Sequence, residues 1–444
     1  MESILAKALE ALKRYPLCDA CLGRQFGLLG YGLTNAERGK AIKTLLTLSA
    51  HLKAKSGDPE GLEVLVVLAS NGFFRPARLL LEKLSGEAPE RAANCYLCEG
   101  VLTRVGELAE KALKLLADYE FSNFLVGVEL PSWVEEREDS LRAELGLEHG
   151  EGLRNELSRE IGKRIMEATS KPVEFARPDV VVLVEPFSGS IRLQVNPVFV
   201  AGRYRKLVRG IPQAKWVCTA CRGRGCPRCN WQGKLYPTSV SELIIEPMLE
   251  AFRGEDAAFH AAGREDVDAR MLGRGRPFVV EVKRPRKREV NLRALEEEIN
   301  RRAKGMVSVS GLKYADRALV RRIKSEEAEK VYEALVEFEK PVSDEELRRL
   351  EEALSGALIK QWTPTRVLHR RADKLRLKRV RELRVIERIS PRVVRLRVRC
   401  DGGLYVKELI TGDSGRTTPS VSELIRTGAR PLELDVVDVL MEGV

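Results

Sequence analysis

Eight of the nine cysteines occur in pairs separated by two residues, and this spacing constrains the fold more than any other feature of the sequence. Two intervening residues allow both thiolates to reach one tetrahedral ion, and four thiolates complete a closed structural zinc site. The pairs are Cys18 and Cys21, Cys95 and Cys98, Cys218 and Cys221, and Cys226 and Cys229. Because disulfides are disfavoured in a reducing cytosol, the sequence predicts metal binding rather than crosslinks.

The last two pairs form one motif, CTACRGRGCPRC, whose bend contains two glycines. This motif can bind an ion without other residues, and it predicts one structural zinc. The first two pairs are 74 positions apart, so the sequence leaves open whether they meet. Each is half a site that needs a partner, which favours a second zinc, and cross-pairing between the two sets is a less economical alternative. The unpaired Cys400 lies in the alternating stretch VVRLRVRC and is expected to be a small buried strand residue.

Hydrophobic periodicity predicts two types of structure before the last cysteine motif. Residues 1 to about 120 are mostly helical in pattern, with Asn35 as the N-cap of AERGKAIKTLLTLSAHLKAK. Residues from about 120 to 213 predict a compact α/β unit. Its strands are NFLVGVELP, RPDVVVLVEP and GSIRLQVNP, and its helix is EGLRNELSREIGKRIMEAT.

The remaining residues predict an α+β region. Ser343 and Glu346 have the spacing of a capping box at the start of SDEELRRLEEALSG. VVRLRVRC alternates apolar residues with arginines as a half-buried strand does, and LELDVVDVL is a further strand. We therefore expect an accessory domain over 1–213, a zinc ribbon or linker over 214–236 and a second domain over 237–444.

The net charge of +11 suggests a polyanionic partner. Between Pro364 and Cys400 there are 14 Lys and Arg against 3 Asp and Glu, so this region accounts for the whole excess. A basic stretch with an aromatic residue, GRYRKLVRGIPQ, suits RNA backbone contact and base stacking. The run KRPRKR is interpreted as a hairpin or loop that touches phosphate rather than a nuclear signal. The residues predicted to contact RNA are Arg203, Tyr204, Arg205, Lys206, Arg370, Arg371, Lys374 and Arg376.

The sequence has no apolar run near the ~20 residues that a membrane span needs. Its first residues, MESILAKALEALKRYP, have an amphipathic pattern without the apolar stretch of a signal peptide. These features favour a soluble cytoplasmic protein with no membrane partner.

The stretch GREDVDARMLGRGRPF places two aspartates, Asp266 and Asp268, among arginines and glycines. Glycines let a backbone approach a ligand closely, and arginines favour the ionised form of a nearby carboxylate. An ionised aspartate in such a site can act as a nucleophile. Alternatively, Asp-Val-Asp could bind a divalent metal, as in some sugar-nucleotide transferases, although so short a pattern is a weak signal.

Three segments resemble the archaeal-type tRNA pseudouridine(54/55) synthase family. Gly263-Arg264-Glu265-Asp266 resembles the G-R-x-D motif of pseudouridine synthases, and KVYEALV resembles their K-x-Y motif. CDGGLYVKELITGDSGRT resembles a motif of the bacterial tRNA uridine-55 synthase. The resemblance extends over nearly the full chain. It implies an accessory domain with cysteine pairs and a THUMP-like RNA-binding unit at about 120–213, followed by a catalytic domain with a mixed or antiparallel sheet.

The resemblance also implies the reaction, which converts uridine to pseudouridine at positions 54 and 55 of the TΨC arm of tRNA. Asp266 would attack or stabilise C1′, with Arg264 and Lys407 keeping it ionised. Tyr332 would stack on the flipped base, and Tyr405 would line the pocket. An isomerisation needs no redox or nucleotide cofactor, the zincs would be structural, and no obligate protein partner is evident. Lys407 stands where some related enzymes carry arginine, which leaves a charge partner without a bidentate fork.

Three other functions compete with this interpretation. A non-catalytic tRNA-binding protein with THUMP and zinc modules would bind without forming product. An RNA methyltransferase would need a glycine-rich cofactor loop between a strand and a helix, whereas GRGRPF precedes a strand. A metal-dependent transferase that uses Asp-Val-Asp would lose activity in a chelator.

Overall fold

Apolar residues recur with helical spacing in the first part of the chain and with alternating spacing in the second, and the fold follows this division. The computed structural model describes residues 4–441 and Gly443, without the side chain of Arg370. The chain divides into two units, Met1–Asn196 and Pro197–Val444. Each unit has its own hydrophobic core.

The first unit is mainly helical. Its helices are α1 (Ile4–Arg14), α2 (Asp19–Gly23), α3 (Asn35–Lys55), α4 (Pro59–Ser70), α5 (Arg75–Ser85), α6 (Val105–Leu116), α7 (Ser132–Leu145) and α8 (Leu153–Thr169). Helix α3 begins with a capping box in which Thr34 and Glu37 satisfy each other's backbone amides. The predicted N-cap, Asn35, is therefore wrong by one position, because it is already the first helical residue.

A small sheet closes the first unit. Its strands are β1 (Phe124–Val128), β2 (Val180–Glu185) and β3 (Ser190–Val195). β1 and β2 are parallel, and β2 and β3 are antiparallel. Alternate valines of β2 are fully buried while the residues between them are partly exposed, as expected for a sheet with one covered face. The predicted α/β unit is thus confirmed up to β3.

The second unit is built on a long mixed sheet. Its strands are β4 (Val198–Lys206), β5 (Asp256–Ala261), β6 (Arg270–Lys283), β7 (Val307–Ala315), β8 (Glu329–Phe338), β9 (Leu358–Gln361), β10 (Arg376–Ser390), β11 (Val393–Cys400), β12 (Thr417–Thr418) and β13 (Ala429–Leu440). The order is β12-β9-β10-β11-β8-β13-β6-β4-β7, and β5 pairs with β6. β6 and β13 are parallel, whereas the other recorded pairs are antiparallel. The predicted mixed sheet is confirmed.

Helices cover this sheet. They are α9 (Val240–Phe252), α10 (Leu292–Arg302), α11 (Arg317–Ser325), α12 (Asp344–Leu354), α13 (Val406–Thr411) and α14 (Val421–Ile425). The predicted capping box of Ser343 and Glu346 opens α12. The basic run predicted as a hairpin or loop ends β6 at Lys283 and continues as irregular backbone before α10. Cys400 is completely buried on β11, as predicted.

The boundary between the units differs from the predicted position. β4 was assigned to the accessory domain, but it pairs with β6 and β7 in the sheet of the second unit. The second unit therefore begins at Pro197 rather than after residue 213, and the last cysteine motif lies inside it between β4 and α9. The alternating pattern of VFVAGRYRK is that of a strand, but the pattern alone does not say which sheet the strand joins.

In the part of the chain that the structure describes, no helix is both long enough and apolar enough to cross a membrane.

Candidate active site

The acidic stretch among arginines forms a loop, residues 262–269, that joins β5 to β6. The first residues of β6 pair with β13, where Met271 lies opposite Val436, and Val436 lies opposite Tyr332 of β8. This register brings the loop beside the middle of the sheet. The loop, β8 and the start of α13 line a cavity of about 310 Å³, which is at the lower end of the range for small-ligand sites.

Asp266 lies in this cavity between two cations. Its Oδ2 atom is 3.4 Å from Nη2 of Arg366 and 3.4 Å from Nζ of Lys407. Lys407 also donates hydrogen bonds to both carboxylate oxygens of Asp268, at 3.0 and 2.8 Å. Burial raises the pKa of the Asp268 carboxyl, but the hydrogen bond and charge of Lys407, a backbone hydrogen bond and the charge of Arg366 together outweigh this and leave the pKa below its ordinary value. One lysine thus connects both aspartates, and Asp266 keeps the more enclosed position.

Lys407, one of the two predicted cations, lies beside Asp266, but the other cation there is not the predicted one. Arg264 lines the cavity, but among the described residues it forms no ion pair, and its side chain is exposed. Its predicted role of keeping Asp266 ionised is wrong in this structure, because its guanidinium lies outside ion-pair distance. Arg366 takes this position. Its Nε atom donates a 2.7 Å hydrogen bond to the buried Glu408 of α13, which holds the guanidinium beside Asp266.

Two tyrosines complete the cavity wall. Tyr332 projects from the centre of β8, and burial raises the pKa of its phenol above the ordinary value. Tyr405 precedes α13, and its backbone is clamped by the buried Gln361, which accepts from its amide at 2.8 Å and donates to its carbonyl at 3.1 Å. Arg371 donates a 2.7 Å hydrogen bond to the Tyr405 hydroxyl. The structure therefore brings Asp266, Tyr332, Tyr405 and Lys407 into one cavity, as the resemblance implied.

A buried polar network supports the loop, and the sequence analysis did not find it. Glu265, between Arg264 and Asp266, is buried and accepts hydrogen bonds from Nε of Arg276 at 2.9 Å and from the Tyr204 hydroxyl. Arg276 also donates to the backbone carbonyl of Ala262 at 2.6 Å. Gln213 donates to the Tyr204 hydroxyl at 2.7 Å and to the carbonyl of Gly263 at 2.9 Å. Buried charges persist in proteins when they are paired in this way, and here the pairing holds the loop on both sides of Asp266.

The prediction that Tyr204 and Lys206 contact RNA is wrong. Both side chains are completely buried, because β4 lies between β6 and β7. Lys206 donates hydrogen bonds to the backbone carbonyls of Ile211, Asp266 and Val267 at 2.9, 3.0 and 3.1 Å. It is therefore a further support of the loop.

The two arginines of the same strand differ from each other. Arg203 donates to the carbonyls of Gly275 and Met441, at 2.8 and 2.5 Å, so the structure gives it an internal role rather than the predicted contact with RNA. Arg205 is exposed, with a 3.2 Å hydrogen bond to Ser308, and its contact with RNA stays a prediction.

The basic region from 364 to 400 separates into two parts. On β10 and β11 most arginines form ion pairs with nearby acidic side chains, such as Arg397 with Glu333 at 2.5 Å and Arg399 with Glu329 at 2.7 Å. Arg371, which precedes β10, and Arg376, its first residue, line the cavity, and Lys374 between them is exposed. The side chain of Arg370 lies outside the described part of the structure. The excess positive charge at the cavity therefore comes from the segment 366–376, which leads into β10.

The two sets of cysteines each form a compact cluster. In each quartet, Cys18, Cys21, Cys95 and Cys98 or Cys218, Cys221, Cys226 and Cys229, the sulfur atoms lie within 4.8 Å of one another. The Sγ atoms of Cys18 and Cys98 are 3.8 Å apart, and those of Cys226 and Cys229 are 3.7 Å apart. Four sulfurs bound at about 2.3 Å around a tetrahedral ion would be about 3.8 Å apart. Each quartet can therefore hold a metal ion, and the open question of whether the first two pairs meet is answered.

Hydrogen bonds to sulfur fit the same interpretation. The amides of Gly225 and Gly233 donate to Sγ of Cys221 and Cys229, both at 3.2 Å. In the first quartet, the buried Arg24 donates to Sγ of Cys21 at 2.8 Å and to Glu138 of α7 at 2.8 Å. Donors around sulfur stabilise the negative charge of thiolate ligands.

The chain is similar to known proteins along nearly its whole length. The family profile described as "Pus10, C-terminal" matches residues 199–440, and that described as "Pus10 THUMP domain, archaeal" matches residues 108–185. A protein of Methanothrix thermoacetophila named "tRNA pseudouridine synthase Pus10" is 47% identical over 438 residues, which are 98% of this chain and 94% of that protein. A protein of Thermofilum pendens with the same name is 48% identical over 430 residues, 96% of this chain and 93% of that protein. The THUMP match ends before β4, whereas the predicted unit extended to residue 213.

Solved structures match more loosely. A chain of the "Crystal Structure of a Cbf5-Nop10-Gar1 Complex" is 19% identical, with 45% of each chain covered and a TM-score of 0.29. This alignment covers less than half of the chain.

Proposed function

The chain belongs to the Pus10 family of tRNA pseudouridine synthases, and we propose that it isomerises uridines 54 and 55 in the TΨC arm of tRNA with Asp266 as the catalytic carboxylate. The observation that carries this proposal is the position of Asp266, in a cavity shared with two tyrosines and with cations 3.4 Å away. The alternative, a non-catalytic tRNA-binding protein, does not need this arrangement.

The target uridine is stacked inside an RNA loop, so it must be flipped out to reach the carboxylate, at a cost of a few kcal/mol. The cavity of about 310 Å³ offers a site for the flipped base. Tyr332 provides an aromatic face for the base, and stacking on such a face contributes about 1–3 kcal/mol. Tyr405 forms the other part of the wall, with its hydroxyl held by Arg371. Stacking therefore offsets the cost of flipping.

The reaction conserves atoms. The C1′–N1 bond breaks with its electron pair remaining on the uracil, the base turns, and C5 bonds to C1′. The proton on C5 is lost, and N1 takes up a proton. Asp266 would attack or stabilise C1′ while the bond to the base is broken, and Arg366 and Lys407 would balance the changing charge of the carboxylate in place of water.

Tyr332 is better suited to stacking than to accepting a proton. Its raised pKa keeps the phenol neutral near pH 7, so phenolate is scarce. We therefore assign Tyr332 to holding the base, and Arg264 and Tyr405 to lining the pocket.

RNA contacts outside the cavity would come from cations at its entrance. Arg371, Lys374 and Arg376 lie close to the position of the flipped nucleotide, where they can bind backbone phosphates. Arg370 and Arg205 are further candidates. The THUMP-matching segment of the first unit would add a second contact with tRNA, in the cytoplasm.

Both cysteine quartets would hold structural zinc. The donors are four sulfurs at tetrahedral spacing, which leaves no position for a substrate or water. Zinc in these sites would stabilise the fold of each unit, and the isomerisation would need no redox or nucleotide cofactor.

The proposal is tested with an unmodified tRNA transcript. The wild-type protein, without added cofactor, is expected to form pseudouridine at positions 54 and 55, mapped by carbodiimide labelling and primer extension. Asp266→Asn is expected to abolish the product and to leave tRNA binding within a few-fold. Asp268→Asn is the matched control, because its side chain is 69% exposed, and it is expected to retain pseudouridine formation.

Two results would contradict the proposal. Tight tRNA binding by the wild type without any product would support the binding-protein alternative. If Asp268→Asn lost the product and Asp266→Asn retained it, the catalytic carboxylate would be Asp268 and the proposed assignment to Asp266 would be wrong.

A further inference from the structure

Lys330 is a cation of the cavity wall that the proposed mechanism does not use. It lies two residues before Tyr332 on β8, so the two side chains project from the same face of the strand. Both line the cavity that contains Asp266. Among the described residues, the Lys330 ammonium donates no hydrogen bond and has no carboxylate within ion-pair distance. Its hydrogen-bonding capacity is therefore available to a molecule in the cavity.

Gly263 creates the space that Lys330 occupies. A Cβ atom at this glycine would lie 3.0 Å from Nζ of Lys330 and 3.1 Å from Nη1 of Arg276. The backbone of Gly263 also has a φ of +82°, which L side chains rarely adopt. Both features favour glycine here. Its absent side chain allows the ammonium to reach the loop of Asp266.

Within the described part of the chain, the charge of Lys330 has no carboxylate at ion-pair distance. The groups that act on it are Arg276 of β6, Glu327 before β8, Lys378 of β10 and Cys400 of β11. Arg276 is matched by Glu265 at 2.9 Å, and Glu327 is matched by Lys378 at 2.5 Å. Burial, and next the charge of Arg276, lower the pKa of Lys330 to about 8. The ammonium is therefore mostly charged at neutral pH and is placed to meet negative charge on a ligand.

We propose that Lys330 is a catalytic residue whose ammonium donates a hydrogen bond to a carbonyl oxygen of the flipped uracil and stabilises the anion that forms when the glycosidic bond breaks. When C1′–N1 breaks, the electron pair stays on the uracil, and its negative charge spreads to O2 and O4. A cation already in place at these oxygens lowers the barrier, because it stabilises charge that develops only in the transition state. This inference rests on the proposed role of Asp266 as the carboxylate that acts at C1′.

A contact with an RNA phosphate is the other role that a cavity lysine can have, and it makes a different prediction. Removal of a phosphate contact would weaken the ground state and the transition state of the complex equally. The dissociation constant would therefore rise, and the single-turnover rate would not change. Removal of the hydrogen bond to the uracil anion would instead destabilise the transition state alone. The two roles are therefore separated by measuring affinity and rate independently.

The test compares Lys330→Met with wild type in single-turnover reactions at saturating enzyme. Methionine preserves most of the side-chain volume and removes the charge. We expect the rate of pseudouridine formation to fall by about 10²–10³-fold, the usual effect of removing one donor to a developing anion, with tRNA affinity within about threefold. Lys340→Met is the matched control, since this lysine is exposed just beyond the end of the same strand, and its rate is expected to equal that of wild type.

Three further measurements exclude a purely structural role. Lys330→Arg is expected to recover part of the rate. In the wild type, the rate is expected to fall as the pH rises through about 8, where the ammonium loses its proton, and this fall is expected to be absent in Lys330→Arg. A target with 5-fluorouridine contains a base that leaves more readily, so the deficit of Lys330→Met in glycosidic cleavage is expected to shrink.

The possible results are distinguishable. An unchanged single-turnover rate with weakened binding would replace the proposal by a phosphate contact. An equal deficit on uridine and 5-fluorouridine, or the same pH profile in the Lys330→Arg variant, would overturn it. Absence of pseudouridine with the wild type would overturn the proposed function and this inference with it.

Discussion

Removal of the guanidinium of Arg276 provides the sharpest test of how the active-site loop is held. Arg276 and Glu265 form an ion pair with side-chain exposures of 1% and 0%, joined at 2.9 Å. In Arg276→Met, the Glu265 carboxylate stays buried with only the Tyr204 hydroxyl as a donor. Breaking a buried pair by removing one partner costs about 3–5 kcal/mol.

This cost can be converted into a melting temperature. The second unit spans Pro197–Val444, and for domains of about this size 1 kcal/mol corresponds to about 2–4 °C. Arg276→Met and Glu265→Gln are each expected to lower the Tm of this unit by about 6–20 °C in differential scanning calorimetry. The double variant is expected to lose little more than either single variant, because it leaves no unpaired charge. The coupling energy from urea denaturation is then about 3 kcal/mol, at the upper end for residues in contact.

The loop itself provides a second readout of the same change. Glu265 is adjacent to Asp266 in the chain, so loss of its anchor displaces the carboxylate that we propose acts at C1′. A displacement of about 1 Å can reduce a rate about 10²-fold. We expect the single-turnover rate of Arg276→Met to fall to this extent at 25 °C, where the protein stays folded.

An exposed pair supplies the control. Arg293 and Glu297 of α10 are 3.5 Å apart, with side-chain exposures of 90% and 71%, and pairs of this kind contribute about 0.5 kcal/mol or less. If Arg276→Met lowers the Tm no further than Arg293→Met, or if the coupling between Arg276 and Glu265 is below about 0.5 kcal/mol, the buried network does not hold the loop and the reasoning fails.

Three further predictions concern the metal clusters and the entrance of the cavity. Elemental analysis is expected to find two zinc ions per chain in the wild type and one in the Cys218→Ser, Cys221→Ser double variant. Two zinc ions per chain in the double variant would reject the second quartet as a site. Arg24→Met removes a donor to Sγ of Cys21, leaves the buried Glu156 without the cation it pairs with, and leaves Glu138 with Arg142 at 3.7 Å. It is expected to speed zinc transfer to a chromophoric chelator from the first quartet alone, and unchanged transfer kinetics would count against Arg24 as a support of that cluster. Arg371→Gln and Lys374→Gln are each expected to lower the slope of log K for tRNA binding against log salt by about one unit. Arg348→Gln, at an exposed position on α12, is expected to leave the slope unchanged. Equal slopes in all variants would exclude phosphate contacts at the cavity entrance.

Local patterns in the sequence predicted the features that depend on local geometry. The spacing of Cys218 to Cys229 defined a complete metal cluster, and the alternation of VVRLRVRC defined a strand with Cys400 buried. Whether Cys18 and Cys21 meet Cys95 and Cys98 does not follow from the sequence, because it depends on how segments 74 positions apart pack. Half of a metal site is a local property, whereas the pairing of two halves is a property of the fold.

Charged residues were the least predictable part, because their partners are distant in sequence. Arg366 is placed beside Asp266 by Glu408, 42 residues later, and neither position has a local signal. The arginines of β11 were counted as free positive charge, but Arg397 and Arg399 face Glu333 and Glu329 of β8. A count of charges along the chain gives the net charge. The positive surface available to RNA depends instead on which of these charges form ion pairs within the sheet.

Partners that are distant in sequence also explain why the prediction for Tyr204 and Lys206 is wrong. They show in addition what the G-R-E-D motif encodes. A basic stretch with an aromatic residue fits an RNA surface, yet β4 lies inside the sheet, where long polar side chains are retained only with complete sets of partners. For Tyr204 and Lys206, those partners include the carboxylate and backbone carbonyls of the loop at residues 262–269. Gly263 makes room for Lys330, Glu265 anchors the loop to Arg276 and Tyr204, and Asp266 faces the cavity. Three of the four motif positions thus have separate roles within the structure. Arg264 is exposed and unpaired among the described residues, and we expect its partner to be the RNA.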